Sequence, residues 1–569
     1  MNGLDWLELL LLLSLSALLA KPLGNYLCSV MDPKEKTVLD RLVKPLEMRL
    51  YRLIGIDPFA EQNWKRYLGS LLWFSLASCL LTSLLLALQS YLPLNPQKFS
   101  APSWHLNINT AVSFMTNTNW QSYGGEATMS YFSQMAALAV QNFVSAAIGL
   151  AAAGAFVRGI GRKEAKTVGN FWADLVRIVL YLLLPLCILS AALLISEGVP
   201  QNFRPYIQAE TLEGGIQSIA QGPIASQEAI KMIGTNGGGF MNANSAHPYE
   251  NPTPFSNFFE MLLILLIPCA QIYYFGKSAG DVKHAWCIFA ALALVFATGV
   301  FVTAFCESIG NPAFKELGIE GGNWEGKEVR FGLFSSSLFA CVTTVVSCGG
   351  VDCAHDSLTP IGGLVPMLNM QLSEVIFGGV GAGLYSVLLF VLLAIFIAGL
   401  IIGRTPEYLG KKIEAKEMKL TVLAIIPYVF IVHLFTALAC TTGWGLQGLG
   451  NSGPHGFSEI LYAYSSCAAN NGSAFAGLSA NAPAYNLTLA AAMLFGRFLV
   501  IIPVIALAGS LAEKKIHPQT SGSFPVSSFV FIGLLVGIIL LLGALTFFPA
   551  LAIGPIVEQF YMLKGIFSS

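Results

Sequence analysis

The sequence predicts an all-α polytopic membrane protein: about ten transmembrane helices, with four parallel M1–P–M2 channel-like repeats around one pore and one extra helix at each end. Three observations predict it. Of the 569 residues, 55% are hydrophobic and 11% charged, whereas soluble domains carry about 25% charged residues. Uncharged runs such as Leu420–Cys440 and Phe529–Leu551 reach the roughly 20 residues that a bilayer-spanning helix needs. Four short loops rich in Gly, Asn, Ser and Thr recur at nearly even spacing between such runs.

The spans are expected, in order, at about residues 4–21, 67–90, 131–156, 172–195, 258–276, 284–304, 373–402, 420–440, 486–511 and 527–550. The first contains the apolar run Leu9–Leu19, preceded by Asp5 and Glu8 and followed by Lys21. Without a basic stretch ahead of it, this reads as a retained helix rather than a signal peptide. Of the 31 Lys and Arg, 22 fall on five alternate loops and seven on the other loops and the tail. By the positive-inside rule the five basic loops face the cytoplasm and both termini face the outside. The chain then divides into a first helix with a basic segment (1–66), repeats at 67–171, 172–283, 284–419 and 420–526, and a last helix with an outer tail (527–569).

The four loops read T-N-T-N-W-Q (Thr116–Gln121), G-T-N-G-G-G (Gly234–Gly239), V-S-C-G-G-V (Val346–Val351) and A-N-N-G-S-A (Ala469–Ala474). Each follows a half-apolar stretch of about ten to thirteen residues, such as Ile224–Ile233 or Phe334–Val346, too short to span and suited to a re-entrant half-helix. Irregular backbone at membrane depth is tolerated only where it is buried in protein or lines a water-filled cavity. Four such units in one orientation predict a shared central pathway. Stacked carbonyls can replace a cation's water shell, and glycine frees consecutive carbonyls to aim alike. No carboxylate lies in the four loop cores, so a weakly hydrated monovalent cation fits better than a divalent one.

The eleven cysteines show no CxxC and no zinc-like spacing with histidine and read mostly as small buried residues. His433 alone of the seven histidines lies mid-span and reads as a packed, hydrogen-bonded side chain. Within the seventh span, F-G-G-V-G-A-G (Phe377–Gly383) places glycines at 378, 379, 381 and 383, each weakening a helix by about 1 kcal/mol relative to alanine. Close helix packing and a broken helix crossing the ion path are both open readings. Glu374, just before the break, either attracts the cation or starts a helix. Arg497, well inside the ninth span, is costly in a bilayer and marks a functional site or an interhelical ion pair. Arg404, Lys411 and Lys412 read as anchors to lipid headgroups.

The segments G-T-N-G-G-G-F-M-N-A-N-S-A-H-P (Gly234–Pro248), N-W-Q-S-Y-G-G-E (Asn119–Glu126), G-R-T-P-E-Y-L-G-K-K (Gly403–Lys412) and N-N-G-S-A-F-A-G-L (Asn470–Leu478) closely resemble KdpA, the family of potassium-translocating subunits of bacterial Kdp ATPases. The resemblance covers essentially the whole chain. It implies K+ as the transported ligand and four fused channel-like units. It also implies a P-type ATPase subunit (KdpB-like), a KdpC-like subunit with a large periplasmic portion and a small KdpF-like peptide as partners, with no nucleic acid. Carried over residue by residue, it implies a selectivity filter of Asn117, Thr118 and Asn119; Thr235, Asn236 and Gly237; Ser347, Cys348 and Gly349; and Asn470, Asn471 and Gly472. Gln121 matches a position tied to K+ affinity, and the glycine-rich break matches one near a tunnel to the ATPase subunit. The first loop departs from the pattern in lacking a filter glycine.

The chain has neither GxxxxGK[ST] nor the D-K-T-G-T phosphorylation signature, so active import requires a partner. Two other readings remain: a stand-alone Trk/Ktr-like K+ channel or symporter, and a membrane enzyme using His247 and Glu250 or Asp352, His355 and Asp356. Pore-mouth hydrogen bonding is the simpler role for those clusters.

Overall fold

The computed structural model describes residues 3–565 except 313, 315, 316, 373, 374, 404 and 519–523. Among the described residues ten helices are long and apolar enough to cross a membrane: Gly3–Val30, Trp64–Ala87, Ser133–Gly161, Phe171–Ser196, Pro254–Ala279, Val282–Ile309, Ala382–Ile402, Ala415–Thr441, Pro483–Ala512 and Phe529–Leu563. Each overlaps one expected span. Several begin where a polar side chain takes up an orphan backbone N–H of the first turn. Asn63 accepts from Arg66, Asn170 from Trp172 and Ala173, Asp281 from His284 and Ser528 from Phe531. Thr253 and Ser256 form a reciprocal capping box around Pro254. Left-handed glycines at 280 and 403 close two of the C-termini.

Between the helices of each successive pair from the second to the ninth lies a shorter helix: Trp104–Met115, Ile224–Ile233, Gly332–Val345 and Gly453–Ala468. With 10 to 16 residues, these are about 15–24 Å long at 1.5 Å per residue, short of a hydrocarbon core of about 30 Å. In every pair the second spanning helix is the more buried. The first helices have 22–44% of their apolar window buried and the second ones 50–83%. The second helices therefore form an inner ring and the first ones an outer ring that leaves apolar side chains facing outward.

The third inner helix is broken. Of the two readings of its glycine run the break is the one that forms: Pro360–Gln371 is one helix and Ala382–Ile402 another, with irregular backbone at 375–381. The first part starts earlier than the sequence pattern indicated because Pro360 occupies its first turn, while Glu307 accepts both the backbone N–H and the hydroxyl of Thr359. Two glycines and a second proline within Pro360–Gln371 hid this helix from propensity.

Helix Gly3–Val30 lies along Pro254–Ala279. Gly24 permits the close crossing: a Cβ there would come 2.8 Å from both Ala270 O and Tyr273 Cδ1. Two small antiparallel hairpins, Ile207–Glu210 with Ile216–Ile219 and Glu407–Tyr408 with Lys411–Lys412, are the only sheets among the described residues. Lys411 corrects an expectation, because it is buried rather than at a lipid headgroup position. Its ammonium donates to Gly159 O (2.9 Å), to Leu511 O (2.7 Å) and to the carbonyl of Arg162. It thereby caps the ends of two inner helices. Lys412 is exposed, and Arg404 lies outside the described residues.

Substituting Gly24→Leu overpacks the crossing and is expected to cost about 1–3 kcal/mol. Gly533→Leu, at a position where an added Cβ meets nothing within 4 Å, is expected to be neutral. Thermal unfolding in detergent compares the two, and equal midpoints would contradict the close crossing.

Candidate ion-binding site

Each short helix ends in one of the four loops, and the loops share an unusual backbone. The first residue of each triplet is left-handed: Asn117 (φ 65°), Thr235 (45°), Ser347 (55°) and Asn470 (55°). In three loops the third residue is left-handed too, at Asn119 (56°), Gly237 (110°) and Gly472 (97°), while the residue between has negative φ. Alternating handedness turns successive peptide planes so that their carbonyls face one side. Positive φ is uncommon outside glycine and a genuine outlier for a β-branched residue, so Thr235 marks a conformation imposed by its surroundings. The missing glycine of the first loop is accommodated because asparagine tolerates the left-handed region. Asn119 is held there by its amide, which donates to Asn142 Oδ1 at 2.6 Å.

The loops meet in a ring. A Cβ on Gly237 would come 2.6 Å from Gly349 Cα, and one on Gly349 would come 2.6 Å from Gly472 C. One on Gly472 would strike the carbonyl of Thr118, and one on Gly238 would come 2.7 Å from Asn119 O. The order is thus first, second, third, fourth and back to the first. Asparagine amides stitch the same neighbours: Asn117 donates to Thr235 O (3.0 Å), Asn236 to Asn117 Oδ1 (2.6 Å), Asn471 to Thr343 O (2.9 Å) and Asn470 to Thr118 Oγ1 (2.9 Å).

All twelve triplet residues are buried. Of their twelve backbone carbonyls, only those of Thr235 and Cys348 accept a hydrogen bond from a described residue. The remaining ten depart from the rule that buried backbone groups are paired. Ten unpaired oxygens on one ring, with no carboxylate among the triplets, suit a dehydrated monovalent cation.

Side chains behind the ring hold it open. The Gln121 amide clamps Gly239 from both sides: Oε1 accepts the Gly239 N–H and Nε2 donates to its carbonyl, each at 3.0 Å. Lys231, in the last turn of the second short helix, is buried with Glu228 (2.7 Å) and Glu250 (2.8 Å). Its ammonium also donates to Asn244 Oδ1 (2.7 Å), and the Asn244 amide donates to Gly238 O (2.6 Å). Glu250 Oε1 accepts the Met241 N–H (2.6 Å). Sequence reasoning passed over this network, although a lysine inside an expected half-helix was itself a signal. Asp352, just past the third loop, is buried, and that burial pushes its carboxyl up to about 7.

The break of the third inner helix lies against the underside of this ring. Gly378 N–H donates to Val345 O (2.9 Å), and Val380 N–H donates to the Thr235 hydroxyl (2.9 Å). Gln271 grips the same segment, donating to Gly379 O (3.2 Å) and accepting from Gly381 N–H (2.8 Å). An added Cβ on Gly381 would strike Gly149, and one on Gly383 would strike the Phe377 carbonyl. Glu374 lies outside the described residues. Arg497 is buried, donates to Ser145 O (3.1 Å) and has no ion-pair partner among the described residues. The same Ser145 donates its hydroxyl to Asn117 Oδ1 (2.7 Å). A Cβ on Gly149 would come 3.0 Å from Arg497 Nη2 and also abut the Val380 carbonyl, which places the guanidinium beside the broken segment. His433 binds Val429 O through Nδ1 (2.8 Å) and stacks on Phe547.

Residues 10–560 match the family model described as KdpA, potassium-transporting ATPase A subunit. The chain is 54% identical over 564 residues to a potassium-transporting ATPase potassium-binding subunit of Solibacter usitatus, covering 99% of both chains. It is 55% identical over 565 residues to that of a Methylorubrum extorquens strain, covering 99% of this chain and 98% of the other. A Nitratidesulfovibrio vulgaris counterpart is 53% identical over 567 residues and matches throughout. Among solved structures, the potassium transporter TrkH from Vibrio parahaemolyticus shares the fold, with a TM-score of 0.53 at 12% identity, over 89% of this chain and 98% of that one.

Replacing Gln121 by Glu keeps the acceptor for Gly239 N–H but sets a carboxylate oxygen against the Gly239 carbonyl. Cation affinity, read by equilibrium binding of labelled Rb+, is expected to fall about tenfold, as for a lost buried hydrogen bond of roughly 1.4 kcal/mol. Unchanged affinity would remove Gln121 from the site.

Proposed function

The chain belongs to the family of potassium-transporting ATPase A subunits, and we propose the following account of how it works. It binds and selects K+ from the outer side of the membrane and translocates it as the channel-like subunit of an ATP-driven potassium import complex. The observation that carries this reading is the ring of ten buried carbonyls that accept no hydrogen bond from the described residues. They form a cage of neutral oxygens that supplies what a K+ ion loses with its water.

The filter consists of Asn117, Thr118 and Asn119; Thr235, Asn236 and Gly237; Ser347, Cys348 and Gly349; and Asn470, Asn471 and Gly472. Gln121 sets affinity by fixing Gly239. Gly378, Gly379, Gly381 and Gly383 let the broken helix form a floor beneath the filter, and Arg497 adds a positive charge that opposes leak. Glu374 would draw K+ toward that floor.

The mouth of the filter faces the periplasm of a bacterial inner membrane and the five basic loops face the cytoplasm, because 22 of 31 Lys and Arg lie on those loops. Energy comes from a P-type ATPase subunit of the KdpB kind. A KdpC-like chain, a small KdpF-like peptide and membrane lipids complete the assembly. The TrkH-like fold alone is equally compatible with a stand-alone channel, but the relatives at 53–55% identity are named as ATPase subunits.

Gly237→Ala is the decisive test: its φ of 110° and its approach to Gly349 both exclude a side chain. In the assembled complex it is expected to lower Rb+ affinity more than tenfold and to shift K+-stimulated ATP hydrolysis in parallel. Wild-type affinity would overturn the filter assignment, and ATP-independent uptake by the chain alone would favour the channel reading. Arg497→Ala is expected to leave Rb+ binding nearly intact while raising passive leak in vesicles. Unchanged leak and unchanged coupled uptake would sink its role.

A further inference from the structure

We propose that the chain carries a second cation site, for a divalent metal of the zinc class, at the loop end of the third and fourth repeats, built from Asp356, His455 and Glu459 with Glu558 behind the imidazole. The site is independent of the K+ filter. One donor atom from each of Asp356, His455 and Glu459 lies within 4.8 Å of the others. The fold assembles them from the loop after the third triplet and from the first turns of the fourth short helix. Of the V-D-C-A-H-D run only Asp356 takes part, since His355 is bound through Nδ1 to the Tyr462 hydroxyl at 2.7 Å.

Three features point to a metal. The first is the environment of the imidazole. Nδ1 lies 2.7 Å from Glu558 Oε1 and Nε2 lies 2.9 Å from Asp356 Oδ1. A ring that donates Nδ1–H to a carboxylate and turns Nε2 toward further carboxylate oxygens has the orientation of a metal-ligating histidine with its supporting carboxylate. The ion would take the place of any proton between Nε2 and Asp356, which leaves to solvent.

The second is excess negative charge. Three carboxylates surround one imidazole, whose ion pairs with Asp356 and Glu558 offset at most one of them, and among the described residues no Lys or Arg pairs with Asp356, Glu459 or Glu558. Glu459 is fully buried, its oxygens accepting only from Gly450 N–H (3.0 Å) and the Asn451 amide (2.8 Å).

The third is convergence. Both carboxylates close on Gly477: a Cβ there would come 2.9 Å from Asp356 Oδ1 and would strike Glu459 Oε1. Gly477 is not left-handed, so its backbone does not demand glycine; the two carboxylates do. A polar cavity of about 280 Å³, lined in part by Asn323, Glu325, Thr359 and Asn451, adjoins Asp356 and His455 and gives ions and water access.

One imidazole nitrogen and two carboxylate oxygens, with a position left for water, suit Zn2+ better than K+ or Ca2+. Around a tetrahedral ion with bonds of about 2.1 Å the donors stand roughly 3.4 Å apart, within a small side-chain adjustment of the separation present. Occupancy would staple the last helix to the mouth of the fourth loop. There Phe475 stacks on His455 with centroids 5.7 Å apart, and its carbonyl accepts the Asp356 N–H at 2.7 Å.

The test uses the whole complex, free of affinity tags and stripped with a chelator, titrated with zinc chloride against a chromophoric competitor. One Zn2+ per chain is expected, with an imidazole visible in the zinc-edge absorption spectrum. His455→Ala is expected to weaken binding at least a hundredfold, and Glu558→Gln about 10–100-fold, as for loss of a supporting carboxylate. Gly477→Ala removes no donor but forces the carboxylates apart, and decides the matter if His455→Ala does not assemble. Absence of stoichiometric binding by the wild type, or wild-type affinity in Gly477→Ala, would overturn the site.

Discussion

A buried carbonyl without a donor costs about 1–3 kcal/mol, and the four loops hold on one ring ten that find no donor among the described residues. Left to itself, such a loop would rotate its peptides toward the nearest N–H groups and close the cage. Much of the surrounding structure works against that collapse. Left-handed residues set the peptide planes, and glycines at the third position allow backbone to touch backbone. The Asn236 and Asn470 amides bind neighbouring loops at side-chain oxygens, which leaves the main-chain oxygens there free. Gln121 and the Lys231–Asn244 chain fix the segment beyond the second loop from behind.

The ring is nonetheless unequal. The first loop reaches the left-handed third position with Asn119, whereas Gly349 of the third loop does not adopt it. The Cys348 carbonyl is bonded by the Thr343 hydroxyl and the Thr235 carbonyl by the Asn117 amide. One chain with four different loops can assign separate duties to them, which a ring of identical subunits cannot. The second loop does the most. It carries Thr235 at φ 45°, has the buried ion cluster behind it, and sends its hydroxyl down to the broken helix.

The ten spans and the four loops were legible in the sequence because both rest on local signals: uncharged runs of the right length, and small polar residues at nearly even spacing. The glycine run at Phe377–Gly383 left close packing and an interruption both open, because missing side chains permit either. What lay beyond reach was long-range pairing. Gln121 was marked by the resemblance alone, and how it acts shows only when Gly239, 118 residues away, is placed beside it. Lys411 looked like a lipid anchor because its charge is visible in the sequence and the three carbonyls that absorb it are not. Helix Pro360–Gln371 was hidden by its own prolines and glycines, since its stability comes from Glu307 and from packing rather than propensity.

The floor beneath the ring explains why such a cage can serve a pump. An open channel needs only the ring and a wet exit. Here the segment Gly378–Gly381 is tied to the filter through Thr235, to the second inner helix through Gln271, and to the first through Gly149. The buried guanidinium of Arg497 is fixed beside it by the Ser145 carbonyl, on the residue whose hydroxyl also holds Asn117. On the function proposed above, a K+ ion descending the axis would meet this segment and a like charge beside it. On that proposal selectivity is kept while conduction straight through is opposed, because Thr235 of the cage also binds the segment beneath it. Any rearrangement that frees Val380 must take a hydrogen bond from Thr235, so opening below is felt at the filter above.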